Sequence, residues 1–286
     1  MEETMVQHAH DIHADSGSQD EWNKIAHGYD QTNTPTQMWL GNEGLRRTNI
    51  QAGDRFLDVA CGSGALSIPA ARLGAEVFAV DQSPAMLELL GIRAHQENLD
   101  IKTLVMDGHV LEFNDNTFDI AGSQFGVMLF PDMPKGIREM ARVVRKGGRV
   151  LLNVYGDPHK IEFFGFFVGA IQSVRPEFTG PPMDPVPLPF QLQNPERLND
   201  ELVGAGLKDV TVETITESTE FSSGNNLWEW IIWSNPIVEE VLGSLELVPQ
   251  ERTIIQRTLD EMVQKRSGGN GPAKLTNPVH IGYGVK

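Results

Sequence analysis

The chain has 286 residues, a formal net charge of −16 and one cysteine, Cys61. This length suits one large α/β domain with an insertion, or two small domains. Because an acidic surface repels phosphate backbones, and because the sequence has neither a basic cluster nor an apolar run of membrane-spanning length, we expect neither nucleic acid nor a membrane as a partner. A single cysteine excludes an internal disulfide and a thiolate metal site, and the acidic N-terminal stretch has no secretory-signal pattern, so we expect a cytoplasmic protein.

The first part of the chain is polar, and we predict a disordered tail over residues 1–20. His8, His10 and His13 lie in this segment. We interpret them as part of a solvated tail rather than as metal ligands, and we expect no metal site. Ordered structure is predicted to begin at "EWNKIAHGYD", where apolar residues recur at helical spacing.

Strand and helix patterns then alternate over about a hundred residues. The predicted strands are, in chain order, "RFLDVA", "EVFAVD", "IKTLVMD", "FDIAGSQF" and "RVLLNVY". A helix is predicted over residues 65–73 and ends at Gly74, and another begins at the N-cap candidate Ser83 with Pro84 in its first position. A third helix is predicted in "IREMARVVRKGG". Such alternation is typical of a parallel sheet with helices on both faces.

The alternation ends after Tyr155. Residues 156–200 contain a phenylalanine-rich segment that is predicted to be helical, followed by a proline-rich stretch that favours extended loop. We predict that residues 156–200 form a helical insertion that covers the substrate. Residues 201–286 are predicted to complete the sheet and the lid, and they contain the strand "LKDVTVETITESTEF", one helix in "NLWEWIIWSNPIVEEVL", one in "PQERTIIQRTLDEMVQKR", and a closing strand in "PVHIGYGVK". The expected fold is therefore α/β, with a Rossmann-like, doubly wound and mostly parallel seven-stranded sheet, and residues 21–155 form its ligand-binding core with N-terminal helices.

A glycine-rich turn, "ACGSG", follows the first strand. Ligands of open α/β sheets bind beyond the carboxyl ends of the strands, and Gly62 and Gly64 allow a ligand to approach the main chain. Dinucleotide sites require a third glycine where this chain has Ser67, and Asp58 just before the turn is poorly placed for a diphosphate. An NAD-dependent oxidoreductase is therefore the less favoured alternative.

S-adenosylmethionine is a ligand that suits these carboxylates, because it is cationic at sulfur and at its amino group and carries a ribose diol but no phosphate. Asp81, at the end of the second strand, can accept hydrogen bonds from both ribose hydroxyls, and Asp107, at the end of the third strand, can accept one from the adenine amine. With Asp58, these acids end three successive strands and form one row along the sheet edge. The pattern therefore predicts S-adenosylmethionine as the cofactor.

The motifs resemble those of class I S-adenosylmethionine-dependent methyltransferases, and most of all the type 11 group typified by ubiquinone and menaquinone C-methyltransferases. The resemblance covers residues 22–155 and rests on "LDVACGSG", "VFAVDQSPAML", "VMDGHVLEF" and the segment that begins "FDIAGSQF". It implies that residues 60–64 face the methionine part, that Gln82 and Met86 lie near the ribose, and that Gln124 lies near the sulfonium. The complete set of expected cofactor-binding residues is Asp58, Ala60, Cys61, Gly62, Gly64, Asp81, Gln82, Met86, Asp107, Gly108, His109 and Gln124.

No catalytic residue is fixed by spacing, and the candidate bases or orienting groups are His27, Tyr29, Tyr155 and His159. The stretch "SQFGVMLF" after the fourth strand lacks the Asn-Pro-Pro-aromatic turn of adenine N-methylation, the Pro-Cys nucleophile of cytosine methylation and the carboxylate cluster of a magnesium-dependent enzyme. These absences argue against nucleic-acid bases and catechols as acceptors.

The aromatic residues of the C-terminal half suit an apolar or aromatic small molecule. They are Phe163, Phe164, Phe166, Phe167, Trp228, Trp230 and Trp233. We therefore expect a methyltransferase that acts on a carbon, oxygen or nitrogen atom of a small apolar or aromatic metabolite. A non-catalytic, regulatory module that binds S-adenosylmethionine is the alternative.

Overall fold

The computed structural model describes residues 17–286. Residues 1–16, with His8, His10 and His13 of the predicted tail, lie outside the described residues. Helix α1 (Gln19–Thr32) begins just before the predicted boundary at residue 21, because the Ser18 hydroxyl caps it by accepting a hydrogen bond from the main-chain N–H of Glu21. Helix α2 (Thr34–Thr48) follows directly and carries a proline in its first turn.

A seven-stranded sheet in the order β3-β2-β1-β4-β5-β7-β6 forms the centre of the fold. The strands are β1 (Arg55–Val59), β2 (Glu76–Asp81), β3 (Ile101–Val105), β4 (Phe118–Gln124), β5 (Val144–Tyr155), β6 (Lys208–Phe221) and β7 (Ala273–Val285). Strands β1 to β5 are parallel, and β7 runs antiparallel to both β5 and β6. The predicted mostly parallel α/β sheet is confirmed, and its strand order reverses between β1 and β4, where such sheets bind ligands.

The remaining helices flank the sheet and form the C-terminal part. They are α3 (Ser67–Arg72), α4 (Pro84–Gln96), α5 (Met133–Val143), α6 (Glu162–Gln172), α7 (Pro195–Gly204), α8 (Gly224–Ile232), α9 (Pro236–Ser244) and α10 (Pro249–Ser267). The helix signals at Ser83 and Gly74 are confirmed, since the Ser83 hydroxyl accepts a hydrogen bond from the Met86 N–H and Gly74 adopts a φ of +86° after α3. The helix predicted in "IREMARVVRKGG" ends earlier than expected, at Val143, and the residues from Val144 onward already belong to β5. None of the helices within residues 17–286 has the length and apolar character needed to cross a membrane.

One predicted helix is divided in the structure. The segment "NLWEWIIWSNPIVEEVL" forms α8 and α9 rather than a single helix, so that prediction was wrong. Pro236 has no N–H to continue a helix and disfavours helical backbone in the residue before it. Asn235 is instead extended, and its side chain caps α9 by accepting a hydrogen bond from Ile237 N–H.

The buried apolar residues form two main clusters. The larger one lies on both faces of the sheet, between β1 to β5 and their helices. The second lies among α6, α8 and α10 and the outer ends of β6 and β7, and it includes Phe167, Trp228 and Trp230. The C-terminal part thus has a core of its own, in which α6 contacts β7 and α9 contacts α8 and α1.

Candidate functional site

A cavity of about 300 Å³ lies beyond the carboxyl ends of β1, β2 and β4; we call it the larger cavity. The expected cofactor-binding residues that line it are Asp58, Ala60, Cys61, Gly62, Asp81, Gln82, Met86, Asp107, Gly108, His109 and Gln124. Gly64 is the one expected residue that does not line it. Its φ is +102°, and a Cβ atom there would collide with Leu90 of α4. Gly64 therefore serves the packing of the turn against α4 rather than the approach of a ligand.

The turn that carries Gly62 is held against the end of β2. The main-chain N–H of Gly62 donates to Asp81 Oδ2 at 2.8 Å, and that of Cys61 donates to the Val80 carbonyl at 3.0 Å. Ala60 has a φ of +55°, a left-handed conformation that is uncommon for a residue with a Cβ atom. The cysteine is buried, which raises the pKa of its thiol well above the usual range. Cys61 is therefore a small wall residue and not a nucleophile.

Asp58 is 1% exposed, and its two carboxylate oxygens differ in their surroundings. Oδ2 accepts a hydrogen bond from the Ser67 hydroxyl at 2.6 Å, whereas Oδ1 has no partner within residues 17–286. Burial raises the pKa of Asp58 to about 7, and the nearby charge of Asp81 adds to this while the Ser67 hydrogen bond opposes it. The cavity thus contains an acceptor that a ligand with N–H or O–H groups can satisfy.

Asp81 is oriented by the main chain on both sides. In addition to the bond from Gly62, its Oδ1 accepts a hydrogen bond from Ser83 N–H at 2.9 Å. Burial raises the pKa of this carboxyl, and the main-chain donors oppose the shift. Each oxygen retains a further acceptor position, so Asp81 can receive a pair of neighbouring hydroxyls from one ligand.

The end of the cavity beyond β3 is formed by Asp107, Gly108 and His109. Asp107 Oδ1 accepts the main-chain N–H of His109 at 2.8 Å and lies 2.7 Å from Nδ1 of the same residue. Partial burial opposes ionisation, but these hydrogen bonds outweigh it and lower the pKa of Asp107. The imidazole ring of His109 lies 4.5 Å from the ring of Phe130, centroid to centroid. This end is therefore flat and aromatic, with a charged acceptor beside it.

Gln124 ends β4 in a side-chain network that the sequence did not predict. Its Nε2 donates to the Gln37 carbonyl at 3.1 Å, and its Oε1 accepts from Asn153 Nδ2 at 2.9 Å. The next residue, Phe125, has a φ of +56° and stacks on Tyr155 with the ring centroids 4.2 Å apart. A bulky residue in this conformation is strained, and here the strain turns the Phe125 ring into the wall of the site.

A second cavity of about 110 Å³, here called the apolar cavity, adjoins the first. The two share Trp22, Tyr29, Phe125 and Leu129 as lining residues. The rest of the apolar cavity is lined mainly by Phe163, Phe164 and Phe167 of α6, Pro181, Pro187, Pro189 and Phe190 of the proline-rich stretch, and Ile237, Val238 and Val241 of α9. The other aromatic residues expected there, Phe166, Trp228, Trp230 and Trp233, do not line it.

Two of the four candidate bases lie at these cavities. Tyr29 lines both and Tyr155 lines the apolar one, whereas His27 and His159 are exposed and line neither. The Tyr29 hydroxyl donates to Gln37 Oε1 at 2.9 Å. Burial raises the pKa of both tyrosines above the usual range, so both phenols are protonated at neutral pH.

Helix α1 covers the larger cavity through contacts with the start of α4. Asn23 Oδ1 accepts hydrogen bonds from the Ser83 hydroxyl at 2.7 Å and from Ala85 N–H at 3.3 Å. Gln19 Nε2 donates to the Gln82 carbonyl at 2.6 Å. These contacts hold Trp22 and Tyr29 over the cavity. Of the two, the sequence analysis singled out Tyr29, as a candidate base.

The chain is similar to known methyltransferases over its central part. The sequence model of the methyltransferase domain family matches residues 57–152. An uncharacterized protein of Mycobacterium bovis is 36% identical over 137 residues, which are 48% of this chain and 49% of that protein. Demethylmenaquinone methyltransferase of Clavibacter sepedonicus is 33% identical over 143 residues, which are 48% of this chain and 57% of that enzyme. The chain thus spans about half the length of the curated relatives that it matches.

A solved structure extends the similarity of fold beyond that domain. Phosphoethanolamine N-methyltransferase 2 of Haemonchus contortus, in complex with phosphomonomethylethanolamine and S-adenosylhomocysteine, superposes with a TM-score of 0.52. The two chains are 21% identical, and the match covers 86% of this chain and 52% of the other. At this identity the likeness is one of fold.

Proposed function

We propose that this chain is a class I S-adenosylmethionine-dependent methyltransferase of the menaquinone C-methyltransferase-like group, and that it methylates a small apolar or aromatic metabolite. The match of residues 57–152 to the methyltransferase domain family and the similarity to a demethylmenaquinone methyltransferase support the first part. The observation that carries the proposal is the wall shared by the two cavities, in which Tyr29 and Phe125 face both. A donor in the larger cavity and an acceptor in the apolar cavity would meet at this wall.

The residues of the larger cavity fit the proposed donor. The unpartnered Asp58 Oδ1 suits its ammonium group, Asp81 suits its ribose diol, and the His109 end suits a flat base. Among the described residues, no lysine or arginine lines the cavity. A diphosphate would therefore meet carboxylates without compensating cations, which weighs against a nicotinamide dinucleotide.

The bound donor would supply a methyl group on a positively charged sulfur. The chain's own residues would act by positioning the acceptor and by excluding water. Residues 21–155 would form the donor-binding core, residues 156–200 would cover the acceptor through α6 and the proline-rich stretch, and residues 201–286 would complete the sheet and the lid. The acceptor must fit among phenylalanine, proline and aliphatic side chains, which supports an apolar or aromatic ring.

The apolar cavity also favours an enzyme over a regulatory module that binds the donor without transferring its methyl group. A module of that kind needs no acceptor cavity beside the donor site. To test the proposal, the purified protein is incubated with methyl-labelled S-adenosylmethionine and a metabolite extract. We expect label in one or a few small apolar products. Tight donor binding without any transfer would favour the regulatory module, and binding of a nicotinamide cofactor instead would favour an oxidoreductase.

A further inference from the structure

Three polar side chains line the apolar cavity next to the wall that it shares with the larger cavity. They belong to Tyr29 of α1, Gln37 of α2 and Tyr155 at the end of β5. Tyr29 lines both cavities, and its hydroxyl lies 2.9 Å from Gln37 Oε1. Tyr155 stacks on Phe125, which also lines both. These polar groups therefore lie where an acceptor in the apolar cavity would approach the donor.

The side chain of Gln37 is held at its oxygen and free at its nitrogen. It is 4% exposed, and its Oε1 accepts the hydrogen bond from the Tyr29 hydroxyl. Its main-chain carbonyl accepts another from Gln124 Nε2 at 3.1 Å. The amide nitrogen Nε2 donates to no atom of residues 17–286, yet it is not completely buried. Because Gln37 lines the apolar cavity, this N–H group is available to a molecule bound there.

The hydroxyl group of Tyr155 is a second donor without a partner in the described chain. Tyr29 and Tyr283, the other tyrosines of the sequence, each donate to a side-chain oxygen. Polar groups that stay unpaired in apolar surroundings cost free energy, and a ligand that pairs them removes this cost. A carbonyl group suits both donors, because its oxygen has two lone pairs and accepts two hydrogen bonds.

The surroundings of these donors favour an uncharged acceptor group. Among residues 17–286, no lysine, arginine, histidine, aspartate or glutamate lines the apolar cavity. Burial raises the pKa of Tyr155 and of Tyr29, and the negative charge of Glu217 on β6 raises both further. Glu217 lies opposite Asn277 of β7, and its own burial raises its pKa to about 7. An oxyanion in the cavity would meet this field without a neighbouring cation, whereas a neutral carbonyl group would not be repelled.

We propose that Gln37 Nε2 and the Tyr155 hydroxyl hold an uncharged carbonyl group of the acceptor by donating hydrogen bonds to its oxygen. This inference rests on the proposed function and narrows the acceptor to an aromatic or apolar ring that carries a carbonyl group. Sites with buried polar groups discriminate strongly against analogues that leave those groups unpaired. Gln37 and Tyr155 are thus specificity-determining residues for the acceptor.

The test compares two ring compounds of the same shape, 4′-bromoacetophenone and 2-(4-bromophenyl)propene, of which only the first has a carbonyl oxygen. Their dissociation constants are measured by NMR titration of protein saturated with S-adenosylhomocysteine. Because the alkene is the more apolar compound, the ratio of the two constants is compared between proteins. Gln37→Met and Tyr155→Phe should each shift this ratio toward the alkene by about fivefold, the scale of one hydrogen bond between neutral groups.

Matched controls make the same substitutions outside the cavity. Gln31→Met changes an exposed glutamine of α1, and Tyr283→Phe removes a hydroxyl on β7 that donates to Glu213. Neither control should shift the ratio. Gln37 and Tyr155 do not line the larger cavity, so both test variants should bind S-adenosylhomocysteine as the wild-type protein does, which shows that they are folded.

A second measurement does not depend on any variant. In crystals soaked with 4′-bromoacetophenone, anomalous scattering from bromine should locate the ring in the apolar cavity, with the carbonyl oxygen within hydrogen-bond distance of Gln37 Nε2. Bromine at another place overturns the inference, as does an unchanged ratio in either test variant or a failure of both compounds to bind. Failure of the wild-type protein to bind S-adenosylhomocysteine would instead overturn the proposed function, so the two failures are distinguishable.

Discussion

The Ser67 hydroxyl donates a hydrogen bond to Asp58 Oδ2 at 2.6 Å, across the glycine-rich turn. Ser67 occupies the position where dinucleotide-binding turns have their third glycine. Ser67 thus departs from that motif and also has a structural role of its own. It fixes one oxygen of a buried carboxylate and leaves the other, Oδ1, free for a ligand.

Ser67→Ala should make donor binding depend more strongly on pH. The hydrogen bond from Ser67 lowers the pKa of Asp58 against the effect of burial, and that pKa is about 7 with the bond in place. Without it the pKa rises, fewer molecules carry the charged carboxylate at pH 7, and affinity for the cationic donor falls. Calorimetric titration with S-adenosylmethionine should show weaker binding at pH 7 that recovers at pH 8.5.

The matched control is Asp58→Asn, which removes the titrating group and should bind the donor weakly at both pH values. If Ser67→Ala binds as the wild-type protein does across this range, Asp58 does not carry the charge that holds the donor.

Asp81→Ala should weaken the binding of S-adenosylhomocysteine by about 2 kcal/mol, the scale of charge-assisted hydrogen bonds to two hydroxyls. Calorimetry measures the change, and the melting temperature shows whether the turn that Asp81 organises through Gly62 is intact. Asp100→Ala, an exposed aspartate before β3, serves as the control and should leave the affinity unchanged. Unaltered affinity in Asp81→Ala would remove this residue from the ribose site.

Glu217→Gln should stabilise the protein at high pH. The folded pKa of Glu217 is about 7, above its ordinary value of 4.5. Between these values the folded state binds more protons than the unfolded state, so the free energy of unfolding decreases as pH rises from 4.5 to 7 and stays low above it. Glutamine cannot ionise, and the variant should be more stable than the wild-type protein by up to about 3 kcal/mol at pH 8.

Thermal unfolding between pH 4.5 and 8 measures this difference, which should vanish near pH 4.5. Tyr155 and Tyr29, the titratable groups that face Glu217, stay neutral over the range because their pKa values are raised. Glu220→Gln, which changes an exposed glutamate of the same strand, should follow the wild-type curve. Equal stability of Glu217→Gln and the wild-type protein at pH 8 would mean that the carboxylate is solvated or paired.

The sheet and most of the larger cavity were predictable because their signals are local. Each of Asp58, Asp81 and Asp107 ends or directly follows an apolar run, and parallel strands bring such ends to one edge. The helix start at Ser83 was predictable for the same reason, since a capping hydroxyl and a following proline lie next to each other in the chain.

The remaining features depend on contacts between distant segments. The bond from Ser67 to Asp58 needs the turn geometry, and the left-handed backbone of Phe125 has no sequence signal in a bulky residue. The juxtaposition of Glu217 with Asn277 depends on the register of two strands that are far apart in sequence. No periodicity in the chain specifies that register, so these residues were not predicted.

Val238→Trp should separate acceptor binding from donor binding. Val238 lies on α9 and lines the apolar cavity but not the larger one. An indole ring there would fill much of a cavity of about 110 Å³, so an acceptor would be excluded while the donor site stays intact. We expect unchanged affinity for S-adenosylhomocysteine and at least about a tenfold loss of label transfer. A tenfold loss corresponds to acceptor binding that is weaker by about 1.4 kcal/mol.

Val203→Trp is the matched control, because Val203 is an exposed valine on α7. It should reduce neither donor binding nor methyl transfer, which shows that a surface tryptophan is tolerated. Full transfer activity in Val238→Trp would mean that the acceptor does not enter the apolar cavity. If Val238→Trp also weakened donor binding, the substitution would have disturbed the wall formed by Tyr29 and Phe125, which both cavities share. That result would mean that the two cavities act as one site.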